Sequence, residues 1–180
     1  MKTILCFGDS NTYGYIPKVN DRYSEDIRWT GILNKKVNEL GFRVVEEGLV
    51  GRTCIFQDPL RPGRNGSELL PVILESQYPI DTLILMLGTN DCKSVYSASE
   101  EVIGLGVEKL LRQIKSSDRR TKIILVSPIH LGDDVWKDEF DPEFDKNSVE
   151  VSKKLEGVYR RLAAKYNCSF LAASDVAEPS

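Results

Sequence analysis

Phe7-Gly8-Asp9-Ser10-Asn11-Thr12 sets a serine directly after the apolar run Ile4-Leu5-Cys6-Phe7. The run reads as a buried strand that Gly8-Asp9-Ser10 ends abruptly. Reacting groups in an α/β sheet collect at the carboxyl ends of its strands, so Ser10 is the candidate nucleophile. Three further segments follow strand-like runs. Glu46-Glu47-Gly48-Leu49-Val50-Gly51-Arg52-Thr53 holds glycines, whose backbone N–H can approach a ligand with no Cβ in the way. Gly88-Thr89-Asn90-Asp91 holds an amide of fixed direction, Asn90. Ser127-Pro128-Ile129-His130 brings the one histidine of the chain. A backbone donor and an amide aimed at a point beside a serine are the chemistry of an oxyanion hole. Singly, each signal is ordinary. Ser10 also suits a turn or a helix N-cap, and Asn90 an Asx turn. The combination, in order and each after its own strand, is far more specific.

Asp9, Trp29 and His130 are candidate substrate-binding residues. For Asp9 the simpler role is to accept backbone N–H groups that hold the turn around Ser10. Trp29, with Tyr13 and Tyr15, could line an acyl pocket or belong to the core. His130 could line the pocket, act as a base or be an ordinary packed histidine. Cys92 is a competing nucleophile, although reactivity would need a nearby cation or a helix N-terminus. The stretch 132–145 carries seven carboxylates against one lysine, with Trp136, Phe140 and Phe144 four residues apart. It reads as a solvated loop packing its aromatics on the globule, as a lid, or as an oligomer contact.

Strands alternating with helices must position these groups. Apolar β-rich runs occur near 3–7, 43–46, 81–87, 122–127 and 168–172. Helical patterns lie at 28–40, 66–77 (with Pro71 inside), 98–116 and 146–166. This predicts βαβ crossovers and a five-stranded parallel sheet in a three-layer α/β/α sandwich, with the flavodoxin-like order 2-1-3-4-5. Residues 1–180 are read as a single domain.

Composition narrows the partners. The net charge of −3 offers no basic face for nucleic acid. No apolar run approaches the ~20 residues of a membrane span. The four cysteines (Cys6, Cys54, Cys92, Cys168) form no dense framework, and Met1-Lys2-Thr3 runs straight into the first strand. A reducing cytoplasm is the expected compartment. No cluster has metal-ligand spacing, and the first turn has too few free N–H groups for a nucleotide or flavin phosphate. No cofactor or metal is expected.

At this point the chain resembles the SGNH, or GDSL-type, serine hydrolases over its whole length. Phe7-Gly8-Asp9-Ser10, Gly48-Leu49-Val50-Gly51 and Gly88-Thr89-Asn90-Asp91 are similar to that family's first three blocks. The resemblance implies that Ser10 is the nucleophile and donates its own N–H. It further implies that Gly51 N–H and the Asn90 side-chain amide complete the oxyanion hole. Asp26-Ile27-Arg28-Trp29-Thr30-Gly31, Glu46-Glu47-Gly48-Leu49 and Arg52-Thr53 resemble the bacterial arylesterase/acyltransferase branch. That implies small acyl or aryl ester substrates, hydrolysis or acyl transfer, and a homo-oligomer. The absence of a G-x-S-x-G elbow favours this architecture over the α/β-hydrolases.

The family also uses an Asp-x-x-His pair, which residues 1–180 do not contain. The catalytic base and the last family helix are therefore expected beyond Ser180. The alternative is a non-catalytic binding module that keeps the pocket without the base. Loss of the base lowers serine-triad turnover by roughly 10⁴–10⁶-fold.

Overall fold

A computed structural model, in which residues 1–179 are described, turns this alternation into strands and helices. In chain order they are β1 (Lys2–Gly8), α1 (Ser10–Tyr13), β2 (Tyr15–Ile16), β3 (Asp21–Arg22), α2 (Trp29–Asn38) and β4 (Phe42–Gly48). There follow α3 (Gly66–Ser76), β5 (Thr82–Met86), α4 (Glu100–Ser117), β6 (Lys122–Ser127), α5 (Lys146–Tyr166) and β7 (Ser169–Ala172). The strands β4-β1-β5-β6-β7 form one parallel sheet in that order. Counted among themselves, these five follow the expected order 2-1-3-4-5. The unanticipated element is the antiparallel hairpin of β2 and β3. Strands of two residues are too short to show an alternation.

Successive strand residues face opposite sides of the sheet. One face carries Leu5, Phe7, Leu83, Leu85, Ile123 and Leu125, all buried beneath α3, α4 and α5. In α4, Ile103, Val107, Leu110, Leu111 and Ile114 form the helical stripe that meets this face. Val102 and Leu105, which also fit the apolar pattern, point outward. Tyr159 of α5 is fully buried, and its hydroxyl donates to Leu87 O at 2.6 Å. The other face holds a smaller cluster of Met86, Val126 and Ala173 with Trp29, Ile84, Ile124 and Ile129. Helix α2 packs against β4 at this side. Over β5, β6 and β7 the face is more open: Ile84 and Ile124 are only partly buried, and Leu171 is 45% exposed.

Pro71 sits inside α3, where its missing N–H frees the carbonyl of Ser67 one turn earlier. Gln113 of α4 supplies the replacement, its Nε2 donating to Ser67 O at 2.7 Å. The proline thus leaves no buried carbonyl unpaired there, and the helix continues. No helix among the described residues is long and apolar enough to cross a membrane.

Candidate active site

The carboxyl ends of β1, β4 and β5 bring the first three chemical segments to one edge. β1 stops at Gly8, and Asp9 caps the single turn of α1, its Oδ1 accepting the Asn11 N–H at 3.0 Å. Ser10 opens that turn and is partly exposed. Asp9 itself is 0% exposed. What it does in this structure is cap the turn that holds the Ser10 corner. Burial pushes its carboxyl up to about 6, against the pull of the Asn11 N–H and the Arg52 charge.

After β4 the chain turns through Gly51, whose φ of +82° is a conformation that L side chains rarely adopt. The Arg61 guanidinium lies over this residue: a Cβ there would meet its Cζ at 3.3 Å. After β5, Gly88 has φ +126°, and a Cβ on it would come within 2.2 Å of Tyr159 Oη. Glycine alone lets the chain pass the buried tyrosine and deliver Asn90. That residue is buried, and its Nδ2 donates one N–H to Arg52 O at 3.0 Å, leaving the second unused. The N–H groups of Ser10 and Gly51 have no hydrogen-bond partner among the described residues. The edge thus combines a partly exposed hydroxyl with three uncommitted N–H donors on adjacent strand ends.

Arg52 ties these pieces together and is only 3% exposed. Its Nη1 donates to Gly8 O at 3.0 Å and to Glu47 O, and its guanidinium lies 4.2 Å from the centre of the Phe7 ring. Burial pulls it down to about 10, which leaves it charged at neutral pH. Trp29 joins the smaller apolar cluster and donates its indole N–H to Asn11 O at 3.0 Å, bracing α1. His130 follows β6, and its Nε2 is buried with no hydrogen-bond partner among the described residues. Cys92 is buried, and burial raises its thiol well above the usual range, which removes it as a competing nucleophile. A cleft of about 340 Å³ lined by Lys2, Phe42, Asp81, Arg120 and Lys122 lies at the opposite, amino-terminal end of the strands, away from Ser10.

The acidic stretch is docked on the globule. Phe144 is buried in the main core, and Trp136 packs against it, whereas Phe140 is half exposed. Glu143 accepts from Lys93 Nζ at 2.6 Å and from Arg61 Nη2 at 3.2 Å. It therefore links this segment to the residues beside both Gly51 and Asn90. The sequence reading missed Arg52, Arg61, Lys93 and Glu143. Arg52 stood in the quoted motif, but nothing in its spacing signalled burial.

A model of the GDSL-like lipase/acylhydrolase family matches residues 6–180. The chain belongs to that family. Among solved structures, this family member is 33% identical to the native aryl esterase of M. smegmatis, with a TM-score of 0.90 over 99% of this chain and 86% of that one. It is 35% identical to Est24, a carbohydrate acetylesterase from Sinorhizobium meliloti, with a TM-score of 0.87 over 99% and 86% of the two chains. AlinE4, an SGNH-hydrolase family esterase, shares the fold at 20% identity and a TM-score of 0.67, over 94% of this chain and 75% of its own. No curated protein matches the chain. The GDSL-family assignment supports carboxylic-ester hydrolysis as the general activity class.

Proposed function

We propose that this GDSL-family chain is a serine ester hydrolase that acts through an acyl-Ser10 intermediate on small acyl or aryl esters, with acyl transfer to an alcohol as its companion reaction. The observation that carries this reading is the placement of Ser10 and three N–H donors without partners among the described residues at the carboxyl ends of adjacent strands. The similarity to an aryl esterase and to a carbohydrate acetylesterase supports a small acyl group.

Ser10 Oγ attacks the ester carbonyl carbon and gives its proton to a base. The carbonyl oxygen becomes an oxyanion, held by the N–H groups of Ser10 and Gly51 and the Asn90 amide. Collapse breaks the ester C–O bond, and the base returns the proton to the departing alkoxide. Water or an alcohol then attacks the acyl-serine in the same way, releasing an acid or a new ester and restoring Ser10. Removing one such donor typically lowers kcat by about 10²–10³-fold.

We place the base on a histidine beyond Ser180 rather than on His130. The buried, unpartnered Nε2 of His130 argues against it, because a general base needs a third group to orient it. The open strip at Ile84, Ile124 and Leu171 offers a surface on which a further helix could pack. An Asp-x-x-His encoded just past codon 180 would support this part of the reading.

Hydrolysis of p-nitrophenyl acetate by the full-length protein, base included, is expected to fall about 10⁴–10⁶-fold in Ser10→Ala. Unchanged turnover would overturn the proposal. A fluorophosphonate reagent should add one adduct to Ser10 in the parent, read by intact mass. A parent that binds esters without forming this adduct would point instead to a binding module.

A further inference from the structure

The acyl-serine mechanism makes no use of Arg52, a cation only 3% exposed at the site. Arg52 connects three separate segments. Its Nη1 reaches Gly8 O, two residues before Ser10, and Glu47 O at the end of β4. Its own carbonyl accepts the Asn90 Nδ2 proton at 3.0 Å, and its N–H donates to Leu49 O at 3.0 Å. It directly follows Gly51. One residue thus bonds to the strand that leads into the nucleophile corner, to the end of β4, to the Gly51 loop and to the amide after β5.

We infer, on the acyl-serine reading, that Arg52 is the positioning residue that holds the Gly51 N–H and the Asn90 amide in register with Ser10. The argument is geometric. The Gly8 carbonyl already accepts the Leu49 N–H at 3.1 Å, and Arg52 Nη1 adds a second, charged donor that ties it to the Glu47 carbonyl. Both bonds leave one nitrogen, Nη1, whose two N–H groups are fixed in the guanidinium plane, whereas the three protons of a lysine ammonium rotate freely. The Phe7 ring, 4.2 Å beneath, sets the plane of that fork. At the other end of the residue, the bond to Arg52 O uses one Asn90 proton and so aims the other. A shift of Arg52 would therefore move two of the three oxyanion donors relative to Ser10, while Arg52 touches no substrate.

The test compares Arg52→Lys and Arg52→Met with the parent, each in the full-length protein that includes the proposed base. For variants folded by near-ultraviolet circular dichroism, kcat on p-nitrophenyl acetate should fall about 30–100-fold, in line with a displacement near 1 Å. KM should stay within about threefold. Affinity for a small alkylboronic acid, whose tetrahedral adduct on Ser10 puts an oxygen in the hole, should fall by the same factor as kcat. A merely structural arginine would leave boronate affinity at the parent level in a folded variant, and that result overturns the inference. So does a kcat change below about threefold. Should neither variant fold, NMR of the unsubstituted protein decides: boronate binding should shift the Arg52 guanidinium and Asn90 amide resonances together, and an unmoved guanidinium overturns the inference. Turnover retained in Ser10→Ala would instead overturn the underlying reading. Loss in Ser10→Ala with normal Arg52 variants rejects only the role given to Arg52.

Discussion

The placement of Ser10 and Asn90 just past strand ends was legible because each follows its own apolar run. Asp9 was half legible: the Asx-type hydrogen bond to Asn11 follows from local sequence, but complete burial does not. Arg52 was invisible as a positioning residue, since its acceptor Gly8 O lies 44 residues earlier in the chain. Trp29 shows the same limit. As an aromatic it could line an acyl pocket or belong to the core, and the structure commits its indole N–H to Asn11 O. Trp29→Phe keeps an aromatic ring against Met86 and Val126 but deletes that donor. The variant should unfold about 1 kcal/mol more easily in urea, the usual net contribution of one hydrogen bond. Near-wild-type stability would mean that the bond to α1 is dispensable.

At the scale of elements, each sheet strand and each long helix followed from apolar periodicity, because buried faces impose it. Pro71 made the start and register of α3 uncertain in sequence. The compensating donor, Gln113, comes from another helix and could not be read locally. The stretch 132–145 offered three readings, and the packing of Phe144 and the ion pairs of Glu143 show it fastened to the globule. Lys93 is 3% exposed, so Glu143 is the partner that makes its burial tolerable. Glu143→Gln keeps the shape and removes the charge. Because Glu143 itself is 44% exposed, solvent screens the pair, and the expected loss is about 1–2 kcal/mol rather than the larger value of a fully buried pair. Amide exchange in residues 132–145 should quicken in the same variant. Exchange confined to its parent rate would show that Phe144 alone holds the segment.

Over the whole molecule, the parallel architecture follows from alternating strands and helices, whereas the strand order rested on known arrangements of such sheets rather than on spacing in this chain. The open strip over β5, β6 and β7 was also beyond sequence reading, since Ile84 and Leu171 look like any buried strand residues. Global stability has a contribution of its own from the site. Asp91 is fully buried, with both carboxylate oxygens accepting the Cys54 N–H at 3.0 and 2.9 Å. Burial drives its carboxyl up to about 7, and the Asp9 charge pushes the same way. An unfolded aspartate titrates near 3.9. Between those two values the native state binds more protons than the unfolded chain. Stability from this group is therefore fully present below about pH 4 and declines as pH rises towards 7. Asp91→Asn abolishes that titration while keeping an oxygen for the Cys54 N–H. Whatever constant offset the substitution brings, the unfolding free energy of the variant relative to the parent should gain about 2–4 kcal/mol between pH 4.5 and 7.5. Urea unfolding across that range measures it. Parallel pH profiles for the two proteins would mean that Asp91 stays ionised throughout, held so by the Cys54 N–H against its burial.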